Sequence, residues 1–262
     1  MSWFSTVVGG AVGFFVGGPL GAVLGASFGH QLGKNLDGIH VEETLNIGDQ
    51  QRVQMAFFTA TFSVMGHIAK ADGHVSREEI TFATRIMDEM GLTSEMRTTA
   101  INLFQRGKQA DFPLNEVLAQ FYKECHRRVD LLRMFVGFQL QAAYADGGIS
   151  VAEENLLLRI CGQLKISRFD YERLKIQIQA QQRFQGHARN IIQKNSLHDA
   201  YGVLGLTPSA SKAEVKKAYR RLMSQNHPDK LVAKGLPEEM MVLAKEKTQK
   251  ISKAYETICK AG

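Results

Sequence analysis

Three consecutive residues, His227-Pro228-Asp229, follow a stretch dense in cations: Lys216, Lys217, Arg220 and Arg221. An imidazole and a carboxylate two positions apart can donate to, accept from and pair with a polar partner. Proline between them fixes φ and withholds an N–H. With Lys230 alongside, the set suits recognition rather than bond making. No nucleophile stands beside a base, and the chain has no glycine-rich phosphate loop. An enzyme is not expected.

A second set is acidic. Residues 71–79 (ADGHVSREE) align with 145–153 (ADGGISVAE), 74 positions later, as A-D-G-x-[V/I]-S-x-x-E. Gly73 and Gly147 can take the left-handed conformation that stops a helix. Ser76 and Ser150 can cap the next helix, with Glu79 and Glu153 closing capping boxes. The remaining carboxylates, Asp72 and Asp146, could converge with those glutamates into an oxygen-rich set suited to a hard divalent cation. The spacing lacks the D-x-D-x-D-G of an EF-hand loop, so capping is the preferred reading and a metal the alternative; no other cofactor is implied. Glu78 and Glu154 are further acids without an assigned role.

The elements that must position the tripeptide are helical. Ser211 can cap a helix over Lys212–Asn226 whose apolar stripe is Val215, Ala218, Tyr219 and Leu222. Lys216 with Arg220, and Lys217 with Arg221, stack at i,i+4 on the other side, where like charges cost a little stability. Pro228 ends that helix, which places the tripeptide on a loop. A second helix opens at Pro237-Glu238-Glu239 and carries Met240, Ala244, Ile251, Tyr255 and Ile258. The two helices are expected to pack through Tyr219/Leu222 and Ile251/Tyr255 and to hold the loop at one tip. A short helix ended by Gly205 precedes them.

Charge is unevenly spread. Residues 1–33 contain no Asp, Glu, Lys or Arg, whereas residues 197–262 hold 12 basic and 7 acidic side chains. The basic end calls for an acidic partner. No aromatic platform or groove-reading motif accompanies the cations, so nucleic acid is not expected. Cys125, Cys161 and Cys259 form no C-x-x-C pair, which suits three buried thiols in a reducing compartment.

In the uncharged segment Gly9, Gly13, Gly17, Gly21, Gly25, Gly29 and Gly33 recur at every fourth position, a small-xxx-small ladder that lets a second helix approach closely. A helix of that length, roughly 45 Å, exceeds the ~30 Å hydrocarbon core of a bilayer. A single span kinked at Pro19 is expected, with a helical hairpin turning at Gly17-Gly18-Pro19 or a buried glycine-rich hairpin as alternatives. No cation precedes the stretch, which argues against a signal peptide, while Lys34 and Arg52 follow it and place the C-terminal side in the cytoplasm. Between residues 50 and 182 apolar positions recur at helical spacing, as in Met55, Phe58, Phe62, Met65 and Ala69, and in Val129, Leu132, Val136, Leu140 and Ala143. The fold class is all-α: an anchor over 1–36, a bundle over 48–182, a linker over 183–197 and a helical hairpin over 198–262.

Residues 200–206 (AYGVLGL), the KKAYRRL run, HPDK and QKISKAYE together resemble a J-domain. The paired acidic turns resemble the TerB-like domain of tellurite-resistance proteins, which implies two pseudo-symmetric helical halves. An anchor, a TerB-like bundle and a terminal J-domain, with an insertion at 231–237, resemble the DjlA-type co-chaperones. The resemblance implies a DnaK-type partner whose ATPase is stimulated through His227, Pro228, Asp229 and Lys230 together with Lys216, Lys217, Arg220 and Arg221. It also implies a bacterial inner membrane, a single pass with a periplasmic N-terminus, and a homodimer through the glycine ladder. The rival expectation is a membrane stress sensor or scaffold whose bundle binds metal or a partner protein. The family's Gly/Phe-rich segment and C-x-x-C-x-G zinc module do not occur in these residues, so client binding of the usual kind is not expected.

Overall fold

The longest buried run in the sequence, residues 53–66, becomes the axis of the molecule. In the computed structural model, which describes residues 18–28, 48–73, 75–187 and 193–261, this run lies in helix α2 (Asp49–Ala69) and is buried on every side. Around it pack α4 (Ser94–Gly107), α5 (Leu114–Cys125) and α6 (Val129–Ala143). Phe57 of α2 meets Phe121, Phe135 and Phe138 with ring centroids 6.0, 6.4 and 6.4 Å away, all edge-on. Gly66 and Gly107 allow α2 and α4 to touch backbone to backbone: a Cβ on Gly107 would lie 1.8 Å from Ser63 O.

The internal repeat sets the remaining elements. After α2 the first acidic turn leads into α3 (Arg77–Glu89), and after α6 the second leads into α7 (Val151–Gln163). The expected stripes of α2 and α6 are buried, except that Val129, at the start of α6, is 48% exposed. The described residues contain helices and turns and no strand, as the fold class requires.

Helix α8 (Arg168–His187) continues past the expected bundle boundary, and α9 (Gln193–Val203) begins within the segment read as a linker. Then come α10 (Lys212–Asn226), α11 (Pro228–Ala233), a 3₁₀ turn (Glu238–Met240) and α12 (Met241–Ala261). Helices α9, α10 and α12 share a core of Ala200, Val203, Leu204, Val215, Ala218, Leu222, Ile251, Ala254 and Ile258, joined by Ala180 and Phe184 of α8.

Two expectations change. Cys125 and Cys161 are buried, and burial pushes both thiols up to about 12, but Cys259 is exposed because it faces outward on the last turns of α12. Pro19 opens α1 (Pro19–Phe28) rather than kinking a helix, since its ring is tolerated in a first turn. Leu20 and Val23 of α1 are buried against the bundle, and Leu20 N donates to Gln120 Oε1 at 2.8 Å. Gly21 and Gly25 lie on α1, whereas Gly9, Gly13, Gly17, Gly29 and Gly33 fall outside the described residues. Among those residues no helix is long and apolar enough to cross a membrane.

Candidate functional site

Helix α10 begins and ends where its sequence dictates. Ser211 Oγ accepts from Glu214 N at 3.3 Å, and Glu214 Oε2 accepts from Ser211 N at 2.8 Å, a complete capping box. Donation from Ser211 N and from Ser211 Oγ to Oε2 holds the Glu214 carboxyl below its usual range. With Val215, Ala218 and Leu222 turned into the core, Lys216, Lys217, Arg220 and Arg221 are left exposed. Partial burial, then the charges of Arg173 and Arg133, lower the pKa of the Arg221 guanidinium, with Asp170 opposing them.

His227 serves two helices at once, as C-cap of α10 and N-cap of α11, in an extended conformation with φ −63° and ψ 124°. The expected loop is therefore a single extended residue. Proline expels its predecessor from the helical region, which stops α10, yet its own fixed φ suits the first position of a helix, so α11 starts at once. Asp229 and Lys230 sit in the first turn of α11.

Several contacts fix this junction. Leu231 N donates to His227 O at 3.0 Å, and the Leu231 side chain is buried. Lys230 Nζ donates back to Ser224 Oγ at 2.8 Å, and the buried Asn226 amide donates to Leu222 O at 2.8 Å. The reactive groups face solvent: the side chains of His227 and Asp229 are 47% and 83% exposed, with Nδ1 and Oδ2 4.0 Å apart. At that separation neither ties up the other. A packed and hydrogen-bonded backbone thus presents an imidazole and a carboxylate beside a cationic helix face.

The acidic turns follow their expected punctuation. Gly73 and Gly147 have φ of 89° and 101°. Glu79 Oε2 accepts from Ser76 N and Glu153 Oε2 from Ser150 N, both at 2.8 Å, and each serine Oγ accepts from the N–H of its glutamate. Asp146 Oδ1 accepts from Gly148 N at 3.3 Å. The four carboxylates do share one neighbourhood. Burial raises the pKa of Glu79 and Glu153; Asp146 acts on both, Glu153 on Glu79 and Asp72 on Glu153 in the same direction. Among the described residues no three His, Cys, Asp or Glu side chains are grouped to hold a metal ion. The glutamates are occupied in capping.

One relationship escaped the sequence. The segment after the tripeptide docks on the bundle: Leu231, Leu236, Met240, Leu243 and Ala244 belong to the bundle core rather than to that of the hairpin. Lys234 pairs with Asp130, 104 positions away, and no local pattern announces such a pair.

Comparison with known proteins covers each part of the chain. Family models described as tellurite resistance protein TerB, DnaJ domain and co-chaperone DjlA transmembrane domain match residues 58–176, 199–261 and 1–41. The last match gives the chain a membrane association. Co-chaperone protein DjlA of Coxiella burnetii (strain RSA 493 / Nine Mile phase I) is 48% identical over 212 residues, 80% of this chain and 78% of the relative. The protein of the same name from Photobacterium profundum is 45% identical over 224 residues, 82% of this chain and 81% of the relative. That of Escherichia coli (strain K12) is 40% identical over 236 residues, 87% of each chain. No solved structure matches. Identity of this extent is far more than a shared tripeptide, and with all three family models matched along its length the chain belongs to the DjlA family of co-chaperones.

Proposed function

We propose that the protein is a membrane-anchored co-chaperone that stimulates ATP hydrolysis by a DnaK-type chaperone through His227-Pro228-Asp229 and the cationic face of α10. The observation that carries this reading is the exposed imidazole and carboxylate held at a hydrogen-bonded helix junction beside four exposed cations. Asp229 would pair with a cationic group of the chaperone, His227 would orient the tip or donate a hydrogen bond, and Pro228 would fix the backbone between them. Lys216, Lys217, Arg220 and Arg221 would steer encounter with an acidic surface, an effect that weakens as salt rises.

Such a site makes and breaks no bonds. It acts by binding the hydrolysis-competent state of the chaperone better than the resting state, and each tenfold of stimulation needs about 1.4 kcal/mol of that difference. Lys34 and Arg52, following the uncharged segment, favour a cytoplasmic C-terminal side and a single pass of a bacterial inner membrane. The glycine ladder favours close approach of a second helix, and α1, which carries Gly21 and Gly25, is seated on the bundle through Leu20 and Val23. Titrating the chain against a DnaK-type chaperone tests the central reading: single-turnover ATP hydrolysis should accelerate to saturation, and a flat response would refute it.

A further inference from the structure

The seven residues after the tip, 231–237, are absorbed neither by the tip nor by the cationic face, and the structure gives them a task. Leu236 is fully buried and, with Leu231 and Met240, enters the bundle core. Gly235 has φ 96°, and a Cβ there would lie 2.6 Å from Val53 Cγ1 of α2, so the backbone itself is seated on that helix. Gln50 Nε2 donates to Val232 O at 3.4 Å. Lys234 pairs with Asp130 at the start of α6, where the aspartate also lies 3.9 Å from Arg133. Helix α11, which carries Asp229 and Lys230, is thereby built onto α2 and α6 of the bundle.

A second anchorage joins α8 to the J-domain. Ala180 and Phe184 of α8 fill its core, and Arg183 Nε lies 3.7 Å from Asp199 Oδ1 of α9. The J-domain is thus held to the preceding helices by two separate sets of contacts. A docking tip that is already oriented loses less freedom on binding, so its affinity depends on whatever fixes it.

From these contacts we infer that Asp130, Lys234, Gly235 and Leu236 are positioning residues for the His227-Pro228-Asp229 tip, which makes the TerB-like bundle part of the chaperone-docking apparatus. This rests on the proposed co-chaperone reading. The ion pair acts through α11: broken, it releases the helix that carries Asp229, and the chaperone meets a tip that must be ordered on each encounter.

The test uses the full chain in vesicles, in four forms: wild type, Lys234→Glu, Asp130→Lys and the doubly exchanged variant. The readouts are the half-saturating concentration and the maximal rate in single-turnover ATP hydrolysis by a DnaK-type chaperone, and hydrogen exchange at the Leu231 and Leu236 amides. Each single variant should raise the half-saturating concentration about fivefold, the scale of one partly exposed ion pair, with the maximal rate kept. Both amides should exchange faster. The double variant, with its pair restored in reverse, should return both readouts to within about twofold of wild type. Unchanged half-saturation in the single variants, with or without faster exchange, overturns the inference. Failure of the double variant to rescue also overturns it, because Lys234 would then be touching the acidic partner directly. A His227→Gln control separates the two levels: if that change leaves stimulation intact, the assignment of the tip as the effective contact fails, and the inference resting on it fails too.

Discussion

The rings of Tyr219 on α10 and Tyr255 on α12 stack, with centroids 4.2 Å apart and planes inclined by 18°. The pair lies two helical turns below His227 and sets the spacing of the two helices that frame the tip. Because both rings are half-buried, the contact adds packing without burying a hydroxyl. Tyr219→Ala should therefore cost about 1–2 kcal/mol in chemical denaturation, whereas Tyr219→Phe should cost less than about 0.5 kcal/mol. Equal losses would place the energy in the hydroxyl and contradict the packing account.

The α2–α4 crossing yields a sharper contrast. A Cβ on Gly66 would lie 2.0 Å from Phe104 O, and one on Gly107 1.8 Å from Ser63 O, while Gly162 on α7 has nothing within 4 Å. Gly107→Ala should destabilise the bundle by about 3 kcal/mol or more, since two backbones must part. Gly162→Ala should be neutral or stabilising by up to about 1 kcal/mol, the helix-propensity gain. Urea midpoints of the two variants read the difference directly.

The buried glutamates give the bundle a pH dependence of known sign. Burial above all, then the charges of Glu153 and Asp146 at Glu79 and of Asp72 and Asp146 at Glu153, raise the two carboxyls above the ordinary 4.5 against the pull of their serine hydrogen bonds. A raised folded pKa means the folded state holds the proton more tightly. That contribution to stability is complete below the ordinary value and is lost as pH climbs through the raised one. Stability should thus fall as pH rises from about 4.5, and Glu153→Gln, which can still close a capping box, should flatten the slope. Denaturation midpoints for wild type and variant between pH 4 and 7 measure it; identical slopes would contradict it.

Local signals were legible and distant ones were not. The limits of α10 follow from Ser211, Glu214 and the His227-Pro228 step, and the two capping boxes follow from the 74-residue repeat, because each depends on residues within one turn. That Pro228 also opens α11 was missed, since the same ring both stops and starts helices and only packing of Leu231 decides. Cys259, on an outward face of the last helix, gave no sign of its exposure. The docking of residues 231–237 onto α2 and α6, and of α8 into the J-domain core, depends on contacts spanning up to 182 positions, for which one chain carries no pattern.

The most direct measurement is single-turnover ATP hydrolysis by a DnaK-type chaperone with the wild-type chain and with His227→Gln, whose folding is checked by an unchanged denaturation midpoint. Wild type should accelerate hydrolysis severalfold, and the variant, retaining all of α10's cations, should leave it at the chaperone's basal rate. Equal acceleration by both proteins would contradict the assignment of the tip as the effective contact.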